Sequence, residues 1–209
     1  MSAPLLAFYN EEASLKYKIM MESEDELKFY RKDMTEMIDL LKTAELSTIV
    51  DVGCGTACLL NLVAQVDNSL SLVGVDCCET MLVHARALVP SASFSIGDAT
   101  KLDIESDSVG GLICSFVSHH LSNEELKDAV SEFARVLAPG GHLYHCYWHG
   151  EGNMEYSHHD EAAVMPTLVK RMADDVVPLF ESFGLTNVKQ RIESYEWGVM
   201  CFELYKKYR

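Results

Sequence analysis

Ile49-Val-Asp-Val-Gly-Cys-Gly-Thr56 reads as a short apolar strand running into a Gly-x-Gly turn, with a carboxylate set near its end. A second apolar run, Leu70-Ser-Leu-Val-Gly-Val75, closes on another carboxylate, Asp76. Asp76 follows Gly55 by about 20 residues, the length of one strand–helix–strand unit whose second acid meets the first turn. Glycine at 53 and 55 lets backbone approach a ligand closely, and a helix starting from such a turn offers free N–H donors.

A dinucleotide site would want a third glycine at position 58, to seat a pyrophosphate, and this chain has Cys58. Asp51 stands two residues before the first glycine. A carboxylate there suits an ammonium group and opposes a pyrophosphate. An adenosine with an amino-acid tail and a sulfonium, S-adenosylmethionine, therefore fits better than NAD.

Four segments, in order, resemble the class I S-adenosylmethionine-dependent methyltransferases. They are Asp51-Val-Gly-Cys-Gly-Thr-Ala57, Val73-Gly-Val-Asp-Cys-Cys-Glu-Thr-Met-Leu-Val-His-Ala-Arg86, Ile96-Gly-Asp-Ala99 and Arg135-Val-Leu-Ala-Pro-Gly-Gly-His-Leu143. The resemblance covers residues 46–146 and, more weakly, the C-terminal strands. It implies an α/β fold: one Rossmann-like domain with a mostly parallel seven-stranded sheet, order 3-2-1-4-5-7-6, ending in an antiparallel hairpin. Helices would cover both faces, and residues 1–45 would form an N-terminal helical lid over a cofactor core at 46–149 and a substrate-side segment at 150–209.

The same resemblance assigns roles. Asp51 would face the methionine ammonium, Gly53, Cys54 and Gly55 would admit the cofactor by backbone, and Asp76 would accept from the ribose hydroxyls. Cys77 and Met81 would flank the adenine, Asp98 and the Ala99 N–H would read its edge, and Ser115 would follow strand four beside the cofactor. No Asn-Pro-Pro-Tyr tetrapeptide follows strand four, where Ser115-Phe-Val-Ser118 stands. That absence argues against the relatives that methylate planar amino groups of nucleic acids or Gln side chains.

The chain has 209 residues, 48% apolar and 23% charged, enough for one domain with a sizeable core. Its formal net charge of −15 opposes a polyanion, so nucleic acid is not expected as a partner; the short chain, the absent basic face and the helical lid point to a small-molecule acceptor. Met1–Asn10 lacks a basic start and a long apolar run, and no stretch approaches the roughly 20 apolar residues that span a bilayer. With seven cysteines, an odd number, and no Cys-x-x-Cys, the expectation is a cytoplasmic chain with reduced, buried thiols and no membrane contact.

Between residues 46 and 149 apolar strands alternate with amphipathic helices, which implies parallel strands with right-handed crossovers. Strands are expected at 48–52, 70–75, 93–96, 110–115 and 141–148, and helices at 57–66, 78–88 and 123–137. Ser122 with Glu125 predicts a capping box for the last helix, and Pro139-Gly140-Gly141 its end. Before this core, helices are expected over 11–21 and from a Ser23–Glu26 capping box onward, with Leu27, Tyr30, Met34, Met37, Ile38 and Leu41 at helical spacing. After it, 154–177 reads as a loop and helix over the pocket, followed by a helix at 175–183 and strands at 186–196 and 198–206.

Ligands of open α/β sheets sit beyond the carboxyl ends of the strands, at the switch in strand order. Strands one and four flank that switch, so His119 and His120 become candidates for a general base, an imidazole titrating near about 6.5. Period-two parity along strand five puts His145, Tyr147 and His149 on the face expected to line the pocket, with Tyr144 and Trp148 opposite. Tyr9, Tyr17, Tyr147 and His149 are the expected acceptor contacts. The His158-His-Asp-Glu161 cluster reads as a solvated loop, and no metal is expected. Together these features predict methyl transfer to an O, N or S nucleophile of a small molecule. A protein or tRNA methyltransferase with a partner subunit, and a silent cofactor-binding module, are the rival readings.

Overall fold

A computed structural model describes residues 9–21, 24–154, 168–196 and 198–209. The Ser23 cap and the His158–Glu161 cluster lie outside these residues.

Strands β1 (Thr48–Val52), β2 (Ser71–Asp76), β3 (Ser93–Ile96), β4 (Val109–Ser115) and β5 (Leu137–Trp148) alternate with α3 (Cys58–Val66), α4 (Glu79–Leu88) and α5 (Asn123–Val136). Two helices precede them, α1 (Glu11–Met21) and α2 (Glu24–Thr43). A short antiparallel pair, β6 (Asn153–Met154) and β7 (Leu168–Val169), then α6 (Ala173–Ser182), β8 (Leu185–Tyr195) and β9 (Gly198–Lys207) follow. The large sheet has seven strands in the order β3-β2-β1-β4-β5-β9-β8, which is the expected order once β6 and β7 are set aside. β1 pairs in parallel with β2 and β4, so the switch lies between β1 and β4.

One apolar cluster packs α2, α3 and α4 against one side of the sheet, through Met34, Met37, Ile38, Leu41, Leu60 and Leu82. The other packs α5 and α6 on the opposite side, through Val130, Phe133, Val176 and Phe180. The Ser122–Glu125 capping box forms, with Glu125 N donating to Ser122 Oγ and Ser122 N donating to Glu125 Oε2. Strand five starts at Leu137, four residues before its expected beginning, because Leu137 pairs with Val109 while His142 pairs with Gly111. The intervening Ala138–Gly141 segment bulges from the ladder, and Pro139, which has no N–H to give, sits exposed there.

Gly110 and Gly111 make room for α2. A Cβ at Gly111 would stand 2.9 Å from Leu41, and one at Gly110 2.6 Å from Leu46. Helix α2 is thereby seated directly on β4. Asp33 fixes it further, accepting both Arg191 Nη atoms at 2.6 and 2.7 Å and the Tyr144 hydroxyl at 3.1 Å.

Candidate active site

A cleft of about 640 Å³, counted to its open mouth, lies over the carboxyl ends of β1, β2 and β4. That size suits a ligand of cofactor dimensions. Gly53, Gly55, Asp76, Cys77, Met81, Ala99 and Ser115 line one part, with Tyr9, Tyr17, Phe116, His120 and Leu121 around the rest.

The β1 turn is built around close approach. Gly53 and Gly55 have φ of 73° and 52°, a region that favours glycine. A Cβ on Gly53 would sit 2.2 Å from Val117 Cγ2, and one on Gly55 3.3 Å from Tyr17 Cε1. Asp76, at the end of β2, reaches back to the turn. Its Oδ2 accepts Gly55 N at 2.8 Å and its Oδ1 accepts Cys78 N at 2.8 Å. Burial raises its pKa against the pull of those N–H groups. Asp51 lies in β1 beneath the turn, 2% exposed, and no described residue donates to it. Burial, then the charge of Asp76, raises its pKa to about 8. A buried carboxyl held in its acid form for want of a countercharge can exchange its proton for a cation placed beside it.

Asp98 folds the next turn, accepting Thr100 N at 2.9 Å and Thr100 Oγ1 at 2.8 Å, and so aims Gly97 and Ala99 into the cleft. Helix α1 closes the opposite wall. The Tyr9 carbonyl accepts Thr80 Oγ1 at 2.5 Å, Ser14 Oγ and Thr80 Oγ1 lie 3.1 Å apart, and Tyr9 and Tyr17 meet edge to face.

After β4 the chain turns through Phe116, whose φ is 55°, into a 3-10 turn, Ser118–His120. His119 is buried at 4% exposure behind the cleft, while His120 lines it. Their Nε2 atoms are 3.0 Å apart, and both Nδ1 atoms are buried without a partner among the described residues. Burial lowers both pKa values, His120 to about 4 and His119 well below its usual range. Both rings are therefore uncharged near neutral pH, and the short Nε2–Nε2 contact requires that one Nε2 carry a hydrogen and the other not. The pair then presents one Nδ1–H and one bare Nδ1.

The expected acceptor contacts divide. Tyr9 and Tyr17 line the cleft, but Tyr147 and His149 do not. Parity along β5 is as read, yet the face shared by His145 and Tyr147 turns toward α6. There the Tyr147 hydroxyl donates to Glu203 Oε1 at 2.9 Å and His145 stacks on Phe180. His149 sits past the strand end, its N–H given to Val199 O. Among the cofactor candidates, Asp51, Cys54 and Asp98 shape the walls from behind and the others face the cleft. Phe116, Val117 and Leu121 were not anticipated as lining residues, since scattered apolar residues after a strand carry no signal of their own. Glu203 was also missed, although an acid inside the apolar run Val199-Met-Cys-Phe-Glu-Leu-Tyr205 is the sequence mark of a buried, satisfied charge.

Residues 49–141 match the family described as a methyltransferase domain. The dTDP-3-amino-3,4,6-trideoxy-alpha-D-glucopyranose N,N-dimethyltransferase of Streptomyces venezuelae is 33% identical over 118 residues, 54% of this chain and 48% of that enzyme. A probable tRNA methyltransferase 9B of Mus musculus is 33% identical over 103 residues, 49% of this chain and 22% of that protein. This chain thus spans about half, or less, of the curated relatives it matches. Magnesium protoporphyrin IX methyltransferase from Synechocystis, solved with bound SAH, shares the fold at a TM-score of 0.71 and 13% identity, covering 96% of this chain and 97% of that one. The matched methyltransferase domain, the sheet order and the glycine turn with its two carboxylates together support a class I S-adenosylmethionine-dependent methyltransferase.

Proposed function

We propose that the chain transfers a methyl group from S-adenosylmethionine to an O, N or S nucleophile of a small molecule. The observation that carries this reading is Asp51, a buried carboxyl held in its acid form directly under a glycine turn that Asp76 braces. Those residues fit the cofactor: Asp51 its ammonium, Asp76 its ribose hydroxyls, Cys77 and Met81 its adenine faces, and Asp98 with the Ala99 N–H its adenine edge. Gly53, Cys54, Gly55 and Ser115 would hold it by backbone and hydroxyl contacts. When bound, S-adenosylmethionine supplies a methyl group activated by its sulfonium.

The chain's own residues position the acceptor and remove its proton. Tyr9, Tyr17 and Phe116 offer aromatic walls on which an acceptor can be oriented, and orientation is worth roughly 7–11 kcal/mol in favourable cases. His120 is uncharged at neutral pH and, when its Nε2–H is given to His119, has a bare Nδ1 that accepts the X–H proton as the X–CH₃ bond forms and the S–CH₃ bond breaks. A weakly basic imidazole suffices for an O–H or S–H acceptor, because methylation of that atom makes its hydrogen strongly acidic; an amine acceptor attacks as the free base and gives its proton to solvent. His119 holds the ring of His120 by its Nε2 contact.

The test is an acceptor screen read by S-adenosylhomocysteine release, with phenols, amines and thiols in one arm and bulk tRNA in the other. Turnover in the first arm is expected. Turnover with tRNA alone would replace this reading by the second one, which the likeness to a probable tRNA methyltransferase favours.

A further inference from the structure

Behind the cleft, on the α6 face of the sheet, lies a buried polar chain that the proposed reaction leaves unused. Glu203 of β9 is 1% exposed and faces its register partner His145 of β5, which is fully buried. The Glu203 carboxylate accepts from Tyr147 at 2.9 Å, Gln190 Nε2 at 3.0 Å, Tyr205 at 2.5 Å and His145 Nδ1 at 3.3 Å. Saturated with donors, it stays ionised despite its burial, its pKa below the usual range. On the other side of the imidazole, His145 Nε2 lies 3.1 Å from Ser118 Oγ. Ser118 opens the turn that carries His119 and His120.

The Ser118 hydroxyl, His145 and Glu203 have the connectivity of an acyl-transfer triad. Ser118 is nevertheless 0% exposed and absent from the cleft lining, so no acyl donor reaches its oxygen. The chain of bonds must act on the turn. Arg171 acts on the same turn from the far side, donating through Nη2 at 3.1 Å and Nε at 3.3 Å to the Ser118 carbonyl. It also donates to the Leu121 carbonyl and to Asn123 Oδ1. Among the described residues no carboxylate pairs with this buried guanidinium. Ser118–Leu121 is therefore gripped at its hydroxyl from the sheet and at its carbonyls from Arg171, with His120 between the two grips.

We infer that Glu203 and His145 are positioning residues for His120: the carboxylate fixes His145 with its hydrogen on Nδ1, and the bare Nε2 takes the Ser118 hydroxyl hydrogen and sets the turn. An ionised carboxylate has no hydrogen to give, so the Nδ1–Glu203 contact requires an N–H there. This explains why an acid is kept inside the sheet, where an apolar side chain would avoid the desolvation that burying a charge costs. The inference rests on the methyl-transfer reading only for what His120 does; the relay itself stands on its own geometry.

Nitrogen NMR of the intact chain, with ¹⁵N-labelled histidine and S-adenosylhomocysteine as the probe, tests it without an acceptor. In the wild type, His145 should show a protonated Nδ1 and a bare Nε2. Glu203→Gln should move the hydrogen to Nε2 and shift the His120 signals, because the Gln amide can donate where the carboxylate could only accept. Glu203→Asp should restore the wild-type pattern. Ser118→Ala should keep the His145 tautomer yet still shift His120, and it remains informative if Glu203→Gln fails to fold. Either variant should leave S-adenosylhomocysteine affinity within about twofold, since the relay touches no residue assigned to the cofactor. A protonated Nε2 in the wild type would overturn the inference, as would His120 signals unmoved in a folded Ser118→Ala. Lost probe binding in the wild type would instead count against the methyl-transfer reading and leave the relay standing.

Discussion

Asp51 sets a conflict between stability and binding. In the unfolded chain its carboxyl ionises near about pH 4, whereas the folded chain holds the proton to about pH 8. The folded state therefore binds more protons across that window, and stability falls as pH rises through it. Asp51→Asn should stabilise the chain by roughly 2–4 kcal/mol at pH 7, read as a higher Tm, with the gain vanishing below about pH 4. The same variant should lose cofactor affinity. Binding to the wild type at pH 6.5 should release about one proton, measured by calorimetry in buffers of different ionisation enthalpy. Gly53 makes the complementary case. Gly53→Ala adds a Cβ 2.2 Å from Val117 at a positive φ, and should cost about 2 kcal/mol in denaturant titration while closing the turn to ligand. Both residues were legible in the sequence, because a carboxylate two residues before Gly-x-Gly is a local pattern. The left-handed φ of Phe116 and the grip of Arg171 were not, since they arise from segments far apart in the chain.

Among the elements, the N-terminal segment expected as a lid resolves into two unequal parts. Helix α2 belongs to the core: Met34, Met37, Ile38 and Leu41 are fully buried, and Asp33 clamps it to Arg191 of β8. Helix α1 carries exposed Leu15 and Ile19 and is held through the Tyr9 carbonyl and Ser14 to Thr80 of α4. Thr80→Val should accelerate amide exchange across Glu11–Met21 and leave Glu24–Thr43 unchanged. Asp33→Ala should instead cost roughly 2 kcal/mol of global stability, since it leaves the buried Tyr144 hydroxyl without its acceptor and Arg191 with Glu193 alone. The apolar stripe of Tyr30, Met34, Met37, Ile38 and Leu41 at helical spacing revealed α2 and its packed face, while α1 was expected only as a shorter helix over residues 11–21. Spacing did not reveal which of the two is anchored, because Asp33 and Arg191 are far apart in sequence. The early start of β5 escaped for a related reason. Pro139-Gly140 is a strong turn signal, and only the pairing of Leu137 with Val109 shows that it interrupts a strand as a bulge.

At the scale of the whole molecule, the parallel core was legible because alternating strands and helices admit few topologies. The direction of the β5 faces was not, since parity says which residues share a face and nothing of what packs there. The charge of −15 is spread over the surface, and even the groove that gathers Arg31, Lys32 and Lys189 is interleaved with Glu36 and Asp39. Lys189 is paired with Glu36. No helix among the described residues is long and apolar enough to cross a membrane. The charge predicts no retention on immobilised tRNA at physiological salt unless a partner supplies a basic face.

The central claim is that the β1 turn and its two carboxylates hold S-adenosylmethionine. Calorimetric titration of the chain with S-adenosylmethionine, S-adenosylhomocysteine and NAD tests it most directly, with Asp76→Ala as the companion. Micromolar binding of the first two, silence with NAD and at least about tenfold weaker binding in Asp76→Ala are predicted. Binding of NAD alone, or an unchanged affinity in Asp76→Ala, would contradict it.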